Sequence, residues 1–515
     1  MGGLLCGMLR SVPIPDHTSW LLTASTTMVA FLLVLYWFLE DTRLRKAKYP
    51  PGPRNLSFWR SLSLRSQDSL YQRCNEYAKT YGPIFSMKLG ATNVVILNDL
   101  ASIKQFYCAE DELSRPRESI LNEVTRGTMG MANLNGEAWT MNRNFSLRVL
   151  RDVGFGRAPM EEHIREELFN LVNQIEAAKG RAIPVLDFIF PSILNVSSAL
   201  LFGTRYALGD PKREHLTKHV AAYVELFHSG TLIESKPRWL SRLEASLPFT
   251  RTGAMRRLRN VLLDFIRNRI KEHEDTIVSD FNRDYIDGYS KEIEKSQHDS
   301  NSAFREQYLL GNTAELLLGS ASNSPSLIHW LLLVCAQNPD RIQAKIQKEI
   351  DDVVGCQRQP TWEDRKAMPF TMASVIEITR WKVILAIGLP RGVQKDTSIG
   401  GYLIPKGTMV LVNVMGVQRN PALWENPDEF DPTRFLAAEG TELSKKPEHH
   451  IAFSLGRRKC PGEMLGNVEL FLYLATLLQN FSVFPEEGTQ LPDLGSLATT
   501  CCHPSVKKLR FVPRR

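Results

Sequence analysis

The amino-acid sequence predicts a mainly α-helical domain with small β-sheets, which follows an N-terminal transmembrane helix. Three observations predict this fold class: helical spacing of apolar residues through most of the chain, two short segments rich in Val and Ile, and one long uncharged apolar segment near the N-terminus. The chain has 515 residues, of which 43% are hydrophobic and 23% are charged. This composition is typical of a large globular protein with a substantial core.

The long apolar segment runs from Trp20 to Leu39 without a charged residue. At about 1.5 Å per residue, such a helix spans roughly 30 Å, the thickness of a bilayer core. A cleaved signal peptide, the alternative, needs a shorter apolar region and a small-residue cleavage site. Positive charge follows the segment, which by the positive-inside rule places the rest of the chain in the cytosol. The sequence therefore predicts a lumenal N-terminus (1–19), a single-pass anchor (20–39), a basic and Pro-rich hinge (40–53) and a cytosolic catalytic domain (54–515).

Apolar residues recur at helical spacing through most of the cytosolic part. We predict helices over 137–150, 160–176, 186–202, 215–230, 253–275, 304–335, 339–354, 373–382 and 463–479. Residues 84–98 alternate around a Gly and predict a β-hairpin, and residues 393–413 predict short strands joined by Gly- and Pro-containing turns. Residues 276–303 are polar and of mixed charge, which favours a solvated connection.

Charge and cysteine usage limit the class of protein. The formal net charge of +7 is modest for this length, so it favours a local basic patch facing a membrane or an acidic partner, and no nucleic-acid partner is expected. Eight cysteines without a C-x-x-C pair exclude a disulfide scaffold and do not indicate a zinc site. All except Cys460 are interpreted as reduced thiols of a cytosolic protein.

Cys460 lies in the most informative stretch, Phe453-Ser-Leu-Gly456-Arg-Arg458-Lys-Cys460-Pro461-Gly462, which an apolar helical segment follows directly. The two glycines allow a tight turn beside a large planar ligand, and Pro461 suits the first turn of a helix. The positive end of that helix dipole lowers the pKa of a thiol, and Arg458 adds a cation nearby. A thiolate held in this way is a metal ligand or a nucleophile.

The pattern F-x-x-G-x-R-x-C-x-G in residues 453–462 resembles the heme-binding signature of the cytochrome P450 family at every fixed position. The resemblance extends over residues 50–513 and implies the cytochrome P450 fold, one heme b, and Cys460 as the axial ligand of the heme iron. It also implies that Phe453, Gly456, Arg458 and Gly462 contact the cofactor.

Further segments resemble the family in the same order. Trp139 and Arg143 match its W-x-x-x-R pattern, and with Arg391 and Arg458 they are implied to meet the heme propionates, where Arg suits a carboxylate. Glu377 and Arg380 match the E-x-x-R pattern, and with Arg434 they are implied to form a buried structural Glu-Arg-Arg network.

The distal helix departs from the family pattern A/G-G-x-D/E-T-T/S. The aligned residues run from Gly319 to Ser324, so that Ser322 replaces the acid and Asn323 replaces the threonine that orders a relay water. We expect Ser322, Asn323 and Ser324 to act as the catalytic relay. Pro325 lacks a backbone N–H, so the carbonyl oxygen of Ala321 loses its helical hydrogen-bond donor, which predicts a local widening of the helix.

The stretches NGEAWTMNRNFSLRVLRDVGFGR and RDYIDGY resemble the animal microsomal family 2 enzymes. That resemblance implies a monooxygenase of the endoplasmic reticulum membrane that uses O2, a lipophilic substrate and electrons from an NADPH-cytochrome reductase, with cytochrome b5 as a second partner. Pocket residues implied by it include Ile120, Leu121, Ala321 and Leu497. Because the relay is altered, two alternatives stay open: a heme-thiolate isomerase, dehydratase or peroxide-driven enzyme, and a non-enzymatic heme- or lipophile-binding protein.

Overall fold

Helices dominate a computed structural model of the chain, and three small β-sheets accompany them within the residues that the structure describes, as the sequence predicts. The structure describes residues 48–53, 67–89, 92–109, 114–116, 119–230, 238–277, 281–299, 302–437, 439–495 and 504–514, together with residues 24, 25, 27 and 28. The predicted anchor lies outside the described residues except for those last four, which are helical. Leu497 also lies outside them.

The helices follow one another along most of the chain. Their bounds are α1 Gln67–Tyr81, α2 Leu100–Cys108, α3 Ile120–Val124, α4 Gly136–Asp152, α5 Ala158–Glu176, α6 Val185–Phe202, α7 Pro211–His228, α8 Arg238–Ser246, α9 Arg251–Glu274, α10 Tyr285–Lys295, α11 Glu306–Gln337, α12 Ala344–Val353, α13 Pro369–Trp381, α14 Val414–Gln418 and α15 Glu463–Asn480. Every predicted helix overlaps an observed one, but residues 339–343 form a π turn ahead of α12.

The interpretation of residues 276–303 as a solvated connection is wrong, because this stretch contains helix α10. Its first turn is buried: Tyr285, Ile286 and Tyr289 pack into the core beside α4 and α11. Asp284 caps the helix by accepting a hydrogen bond from the backbone N–H of Asp287 at 3.0 Å. The helix was not predicted because its buried face consists of only a few residues, which lie among many charged ones.

The largest sheet joins distant parts of the sequence. Strands β1 (Ile84–Leu89) and β2 (Thr92–Leu97) form the predicted antiparallel hairpin. Strand β2 pairs in parallel with β7, Val94 lying opposite Met409, and β7 pairs antiparallel with β4. The remaining strands form a two-stranded sheet (β5, β6) and a three-stranded one (order β3, β9, β8), with bounds β3 Ala182–Pro184, β4 Arg391–Gly392, β5 Thr397–Ile399, β6 Tyr402–Ile404, β7 Met409–Val412, β8 Phe481–Pro485 and β9 Lys508–Pro513.

Helix α11 lies at the centre of the core and contributes to two apolar clusters. Its N-terminal half packs with α6, α9 and α10, and its C-terminal half packs with α13 and α15. Among the described residues, α6 is the one helix apolar and long enough to cross a membrane, but 78% of its apolar window is buried within the protein. Helix α6 is therefore explained by its place in the core.

Candidate active site

A tight loop from Phe453 to Cys460 presents the cysteine just before helix α15. The loop closes where the backbone N–H of Cys460 donates to the carbonyl oxygen of Phe453 at 2.9 Å. Gly456 has φ +70°, and a Cβ there would lie 2.2 Å from the carbonyl oxygen of Tyr107, so this turn requires glycine. Helix α15 begins at Glu463 after Gly462, so Cys460 precedes a helix N-terminus as predicted, while Pro461 lies outside the first helical turn, contrary to expectation.

The Cys460 side chain is accessible to solvent, although it lies deep among other residues. Burial raises the pKa of its thiol, and this effect outweighs the backbone N–H of Gly462 and the cations Arg143 and Lys459, which lower it. The expected lowering of the thiol pKa is therefore wrong for the protein alone: the helix end contributes in the predicted direction, but desolvation is larger.

Several arginines converge beside the cysteine loop. Arg391 and Arg458 are buried, and Arg143 is half-buried on α4, from which it donates to the carbonyl oxygen of Lys459. Burial, followed by repulsion from Arg391 and Arg143, lowers the pKa of Arg458 to about 9. Burial also lowers the pKa of Arg391 and of Arg143. Like charges gathered in a buried place are costly unless an anion neutralises them.

Buried nitrogens of this cluster point to such an anion. In the part of the chain that the structure describes, Nε and Nη1 of both Arg391 and Arg458 are buried without a hydrogen-bond partner. The carboxylate of Glu315 influences Arg458, but its oxygens already accept from the backbone of Gly130 and Ala132 and from Asn133. Buried donors are nearly always paired, so the cluster fits a ligand that carries carboxylates.

Trp139 packs against the same cluster. The guanidinium carbon of Arg458 lies 4.2 Å from the Trp139 ring centroid, and that of Arg457 lies 5.6 Å from it. Trp139 and Arg143 are four residues apart on α4, so both face the cysteine loop. The structure therefore brings together Trp139, Arg143, Arg391, Arg458 and Cys460.

Arg115 also belongs to this cluster, although no motif in the sequence indicates it. Its guanidinium is buried and donates to the carbonyl oxygens of Ala132 at 2.7 Å and Pro390 at 2.8 Å. Burial and repulsion from Arg391 and Arg458 hold its pKa well below the usual value for arginine. A bridge between Ser114 and Gly392 places it beside Arg391, a contact that no sequence spacing reveals.

Glu377, Arg380 and Arg434 form a buried ionic network. Arg380 donates to the Glu377 carboxyl through Nε at 2.6 Å and Nη2 at 2.7 Å, and both side chains are fully buried. Arg434 Nε lies 3.4 Å from the same carboxyl. Burial raises the pKa of Glu377, while Arg380 and the backbone N–H of Asp431 favour its carboxylate form. Arg380 also donates to the backbone carbonyl of Gln418, which ties α13 to the chain leading towards the cysteine loop.

The central helix presents one accessible face within the core. Leu316, Gly319 and Asn323, spaced three and four residues apart, retain accessible surface, and a Cβ at Gly319 would meet no described atom within 4 Å. Ala321 and Ser322 lie on the packed side, at 1% and 9% exposure. Asn323 therefore faces the accessible side, although its Nδ2 donates to the carbonyl oxygen of Gly319 at 3.2 Å, as the Ser322 hydroxyl does at 3.3 Å. Helix α11 also stays α-helical across Pro325, so the expected widening is not observed.

Two of the predicted pocket residues, Ile120 and Leu121, lie together on α3. They form a small apolar cluster with Phe227 and Leu389, which come from distant parts of the sequence. The third described member, Ala321, packs into the core cluster of α9 and α10 instead.

Comparison with known proteins agrees with this geometry. The sequence model of the family described as Cytochrome P450 matches residues 50–509. Cytochrome P450 2J2 of Homo sapiens is 32% identical over 467 residues, covering 90% of this chain and 90% of that protein. Cytochrome P450 2F2 of Rattus norvegicus is 33% identical over 92% of this chain and 96% of its own length, and Cytochrome P450 2C21 of Canis lupus familiaris is 31% identical over 94% and 99%.

Proteins of this family are oxidoreductases with monooxygenase activity, and their cofactor is heme b. The match covers most of the chain, including the cysteine loop, the converging arginines and the central helix. This chain therefore belongs to the cytochrome P450 family.

Proposed function

We propose that this protein inserts one oxygen atom from O2 into a lipophilic organic substrate, with electrons that an NADPH-cytochrome reductase supplies. The observation that carries the proposal is the convergence of buried arginines beside an accessible Cys460. A lipophilic substrate is supported by the apolar cluster of Ile120, Leu121, Phe227 and Leu389, because ligand pockets are mostly apolar.

Heme b fits the residues present. Cys460 would ligate the iron. The propionates would meet Arg115, Arg143, Arg391 and Arg458, and the unpartnered nitrogens of Arg391 and Arg458 would donate to them. Phe453, Gly456 and Gly462 would shape the loop around the ligand, and Trp139 would hold Arg458 in place. A heme with a cysteine thiolate ligand activates O2 for insertion into a C–H bond, while the protein binds and orients the substrate.

Spectroscopy tests the cofactor assignment. Purified protein should contain one heme b, and its reduced carbonyl complex should show the red-shifted band of thiolate ligation. Cys460→Ala should abolish that band, whereas Cys356→Ala, which removes another exposed cysteine, should leave it unchanged. Persistence of the band in Cys460→Ala would show that another residue ligates the iron.

An exposed basic surface supports the reductase as electron donor. Arg148, Arg457 and Lys459 are exposed near the cysteine loop and provide charge for an acidic partner, with cytochrome b5 as a second one. Arg457→Gln should weaken NADPH oxidation with reductase and reduce its dependence on salt. Arg341→Gln, which removes an exposed arginine of the π turn, is the control. Equal effects of the two variants would contradict docking at Arg457.

We place the protein in the endoplasmic reticulum membrane through the anchor at 20–39, with the domain 54–515 in the cytosol. Deleting residues 1–42 should release much of the protein from membranes at low detergent. Full solubility of the intact chain without detergent would contradict the anchor.

Asn323 is the residue we propose to order a relay water on the accessible face of α11, with Ser322 and Ser324 beside it. An amide cannot rotate one proton between partners as the usual threonine hydroxyl can. Asn323→Thr should therefore raise the product formed per NADPH consumed. The altered relay also favours one alternative, a peroxide-driven enzyme, which would turn over a hydroperoxide without reductase and show no coupled use of NADPH and O2.

A further inference from the structure

Two histidines lie one turn apart in the first half of helix α7. His215 is exposed and His219 is half-buried, and the centroids of their rings lie 4.2 Å apart. Residues four apart share one face of a helix, so both imidazoles lie on the same side of α7. Neither residue belongs to the site around Cys460.

A backbone contact fixes the position of the proton on His219. The Nδ1 atom of His219 lies 2.7 Å from the carbonyl oxygen of His215. A carbonyl oxygen only accepts, so Nδ1 carries the hydrogen and Nε2 of the neutral ring keeps its lone pair. Histidines that bind metal ions are oriented in this way, with one ring nitrogen donating to a backbone carbonyl while the other binds the ion. His219 is therefore oriented as a ligand through Nε2.

Helix α9 supports the other ring of the pair. The His215 ring stacks on that of Phe265, with centroids 6.5 Å apart and planes 18° from parallel. Zinc binds histidine nitrogens at about 2.0–2.1 Å, so two nitrogens on one ion lie within about 4 Å of each other. Rings whose centroids are 4.2 Å apart can reach this separation by side-chain rotation alone. The two imidazoles are therefore close enough to share one ion.

The other groups near the pair determine the kind of ion that it would bind. Lys212, one turn earlier on α7, is paired with Glu272 at 3.2 Å, while the charge of Lys218 acts on His215 and opposes a cation. Within the described ranges, no carboxylate or thiol joins the two imidazoles, so water would complete the coordination shell. Imidazole suits Zn²⁺, Ni²⁺ and Cu²⁺, whereas Mg²⁺ and Ca²⁺ prefer oxygen ligands. The pair therefore favours a divalent transition-metal ion, held with moderate affinity.

We propose that His215 and His219 form a two-histidine binding site for a divalent transition-metal ion, such as Zn²⁺, on the surface of α7. The ion joins two successive turns of the helix through the two imidazoles. The ligands are held together only while α7 is helical, so binding stabilises the folded helix. Helix α7 also carries Phe227 of the apolar cluster, so the ion stabilises a helix that contributes to this cluster.

Matched variants separate chelation from the mere presence of histidine. His215→Gln and His219→Gln each leave one imidazole on α7. The exchanged variant, Thr217→His with His219→Thr, keeps the composition of the helix but places its two histidines two residues apart, on different faces. His298→Gln, which removes an exposed histidine elsewhere, is the control. The thiolate band of the reduced carbonyl complex verifies that each variant is folded around its heme.

Isothermal titration calorimetry with Zn²⁺ measures binding to the full-length, heme-loaded protein. Wild type and His298→Gln should bind one zinc ion at this site with equal affinity. His215→Gln, His219→Gln and the exchanged variant should bind it about tenfold or more weakly, since loss of an outer-shell partner alone commonly costs about 10–100-fold. Equal zinc affinity in the wild type and the exchanged variant would overturn the site.

Amide hydrogen exchange locates the bound ion. At a zinc concentration ten times the dissociation constant, the amides of α7 around the pair should exchange about tenfold more slowly in the wild type. The same amides should show no zinc effect in the exchanged variant, and the amides of α10 should be unaffected in both proteins. Zinc binding without slower exchange in α7 would place the ion elsewhere and contradict the proposal.

Discussion

The guanidinium carbon of Arg458 lies 4.2 Å from the centroid of the Trp139 ring, while its Nη2 donates to the carbonyl oxygen of Leu134 at 2.7 Å. These two contacts fix the orientation of a buried guanidinium whose other nitrogens have no partner in the described chain. Arg458 is thereby pre-organised for an anion, and little rotamer entropy is lost when the anion binds.

Replacing Arg458 should weaken heme retention. A hydrogen bond to a charged group is worth about 1.5–3 kcal/mol, so Arg458→Leu should release heme roughly ten- to hundredfold faster. Transfer of heme to apomyoglobin measures the rate. Arg457→Gln changes the adjacent arginine, which is exposed, and should leave the rate unchanged. Equal rates in wild type and Arg458→Leu would contradict a propionate contact.

Gly456 should tolerate no side chain. Its left-handed backbone costs an L residue about 1–2 kcal/mol, and its Cβ would clash with the carbonyl oxygen of Tyr107. Gly456→Ala should therefore lower both heme content and the thermal midpoint. Gly466→Ala is the control: no described atom lies within 4 Å of the added Cβ in α15, and stability should rise by about 0.5–1 kcal/mol. A Gly456→Ala protein with normal heme content would refute the close approach.

The buried network should respond to mutation far more than a surface pair does. Glu377→Gln leaves Arg380 buried without its counter-ion and should reduce the free energy of unfolding by about 3–5 kcal/mol. Urea denaturation measures this loss. Lys348→Ala breaks an exposed ion pair with Asp352 and should have no measurable effect. Similar losses in the two variants would mean that Glu377 is not energetically part of the network.

Stability should depend on pH through His273. Burial lowers the pKa of His273, but several contacts together exceed this effect: the hydrogen bond between its Nε2 and Asp284 at 2.6 Å, the Arg269 carbonyl, and the charges of Asp284 and Asp287. The pKa of His273 is therefore raised. A raised folded pKa stabilises the fold below about pH 6.5, and this contribution is lost as pH rises through the folded pKa. The unfolding free energy should fall across that window in the wild type, and His273→Gln should flatten the profile. His298→Gln, an exposed control, should preserve it. A steep profile in His273→Gln would assign the pH dependence to another group.

Local patterns in the sequence predicted the parts of the site that are contiguous. The 453–462 stretch contains the turn glycine, the cysteine and the start of α15, so the loop was predictable from residue types and their order. Trp139 and Arg143 were predictable for the same reason, because helical spacing places them on one face.

Long-range contacts determine the other features of the site, and no local pattern in the chain indicates them. Arg115 joins the cluster through a bridge between Ser114 and Gly392, far apart in the chain. Which of Ser322 and Asn323 faces the accessible side depends on how α11 is rotated against its neighbours, not on the motif. The thiol pKa failed as a prediction because desolvation depends on the assembled protein around Cys460.

The parallel pairing of β2 with β7 also affects folding during synthesis, because Val94 pairs with Met409, which the ribosome adds much later. Ribosomes add about 5–20 residues per second, so on the order of 15–60 s pass before the partner strand emerges. During that time one edge of the β1–β2 hairpin, rich in Val and Ile, has no partner strand and is open to wrong pairing. Expression of this protein should therefore benefit from slower initiation or added chaperone, and chains truncated before residue 409 should aggregate.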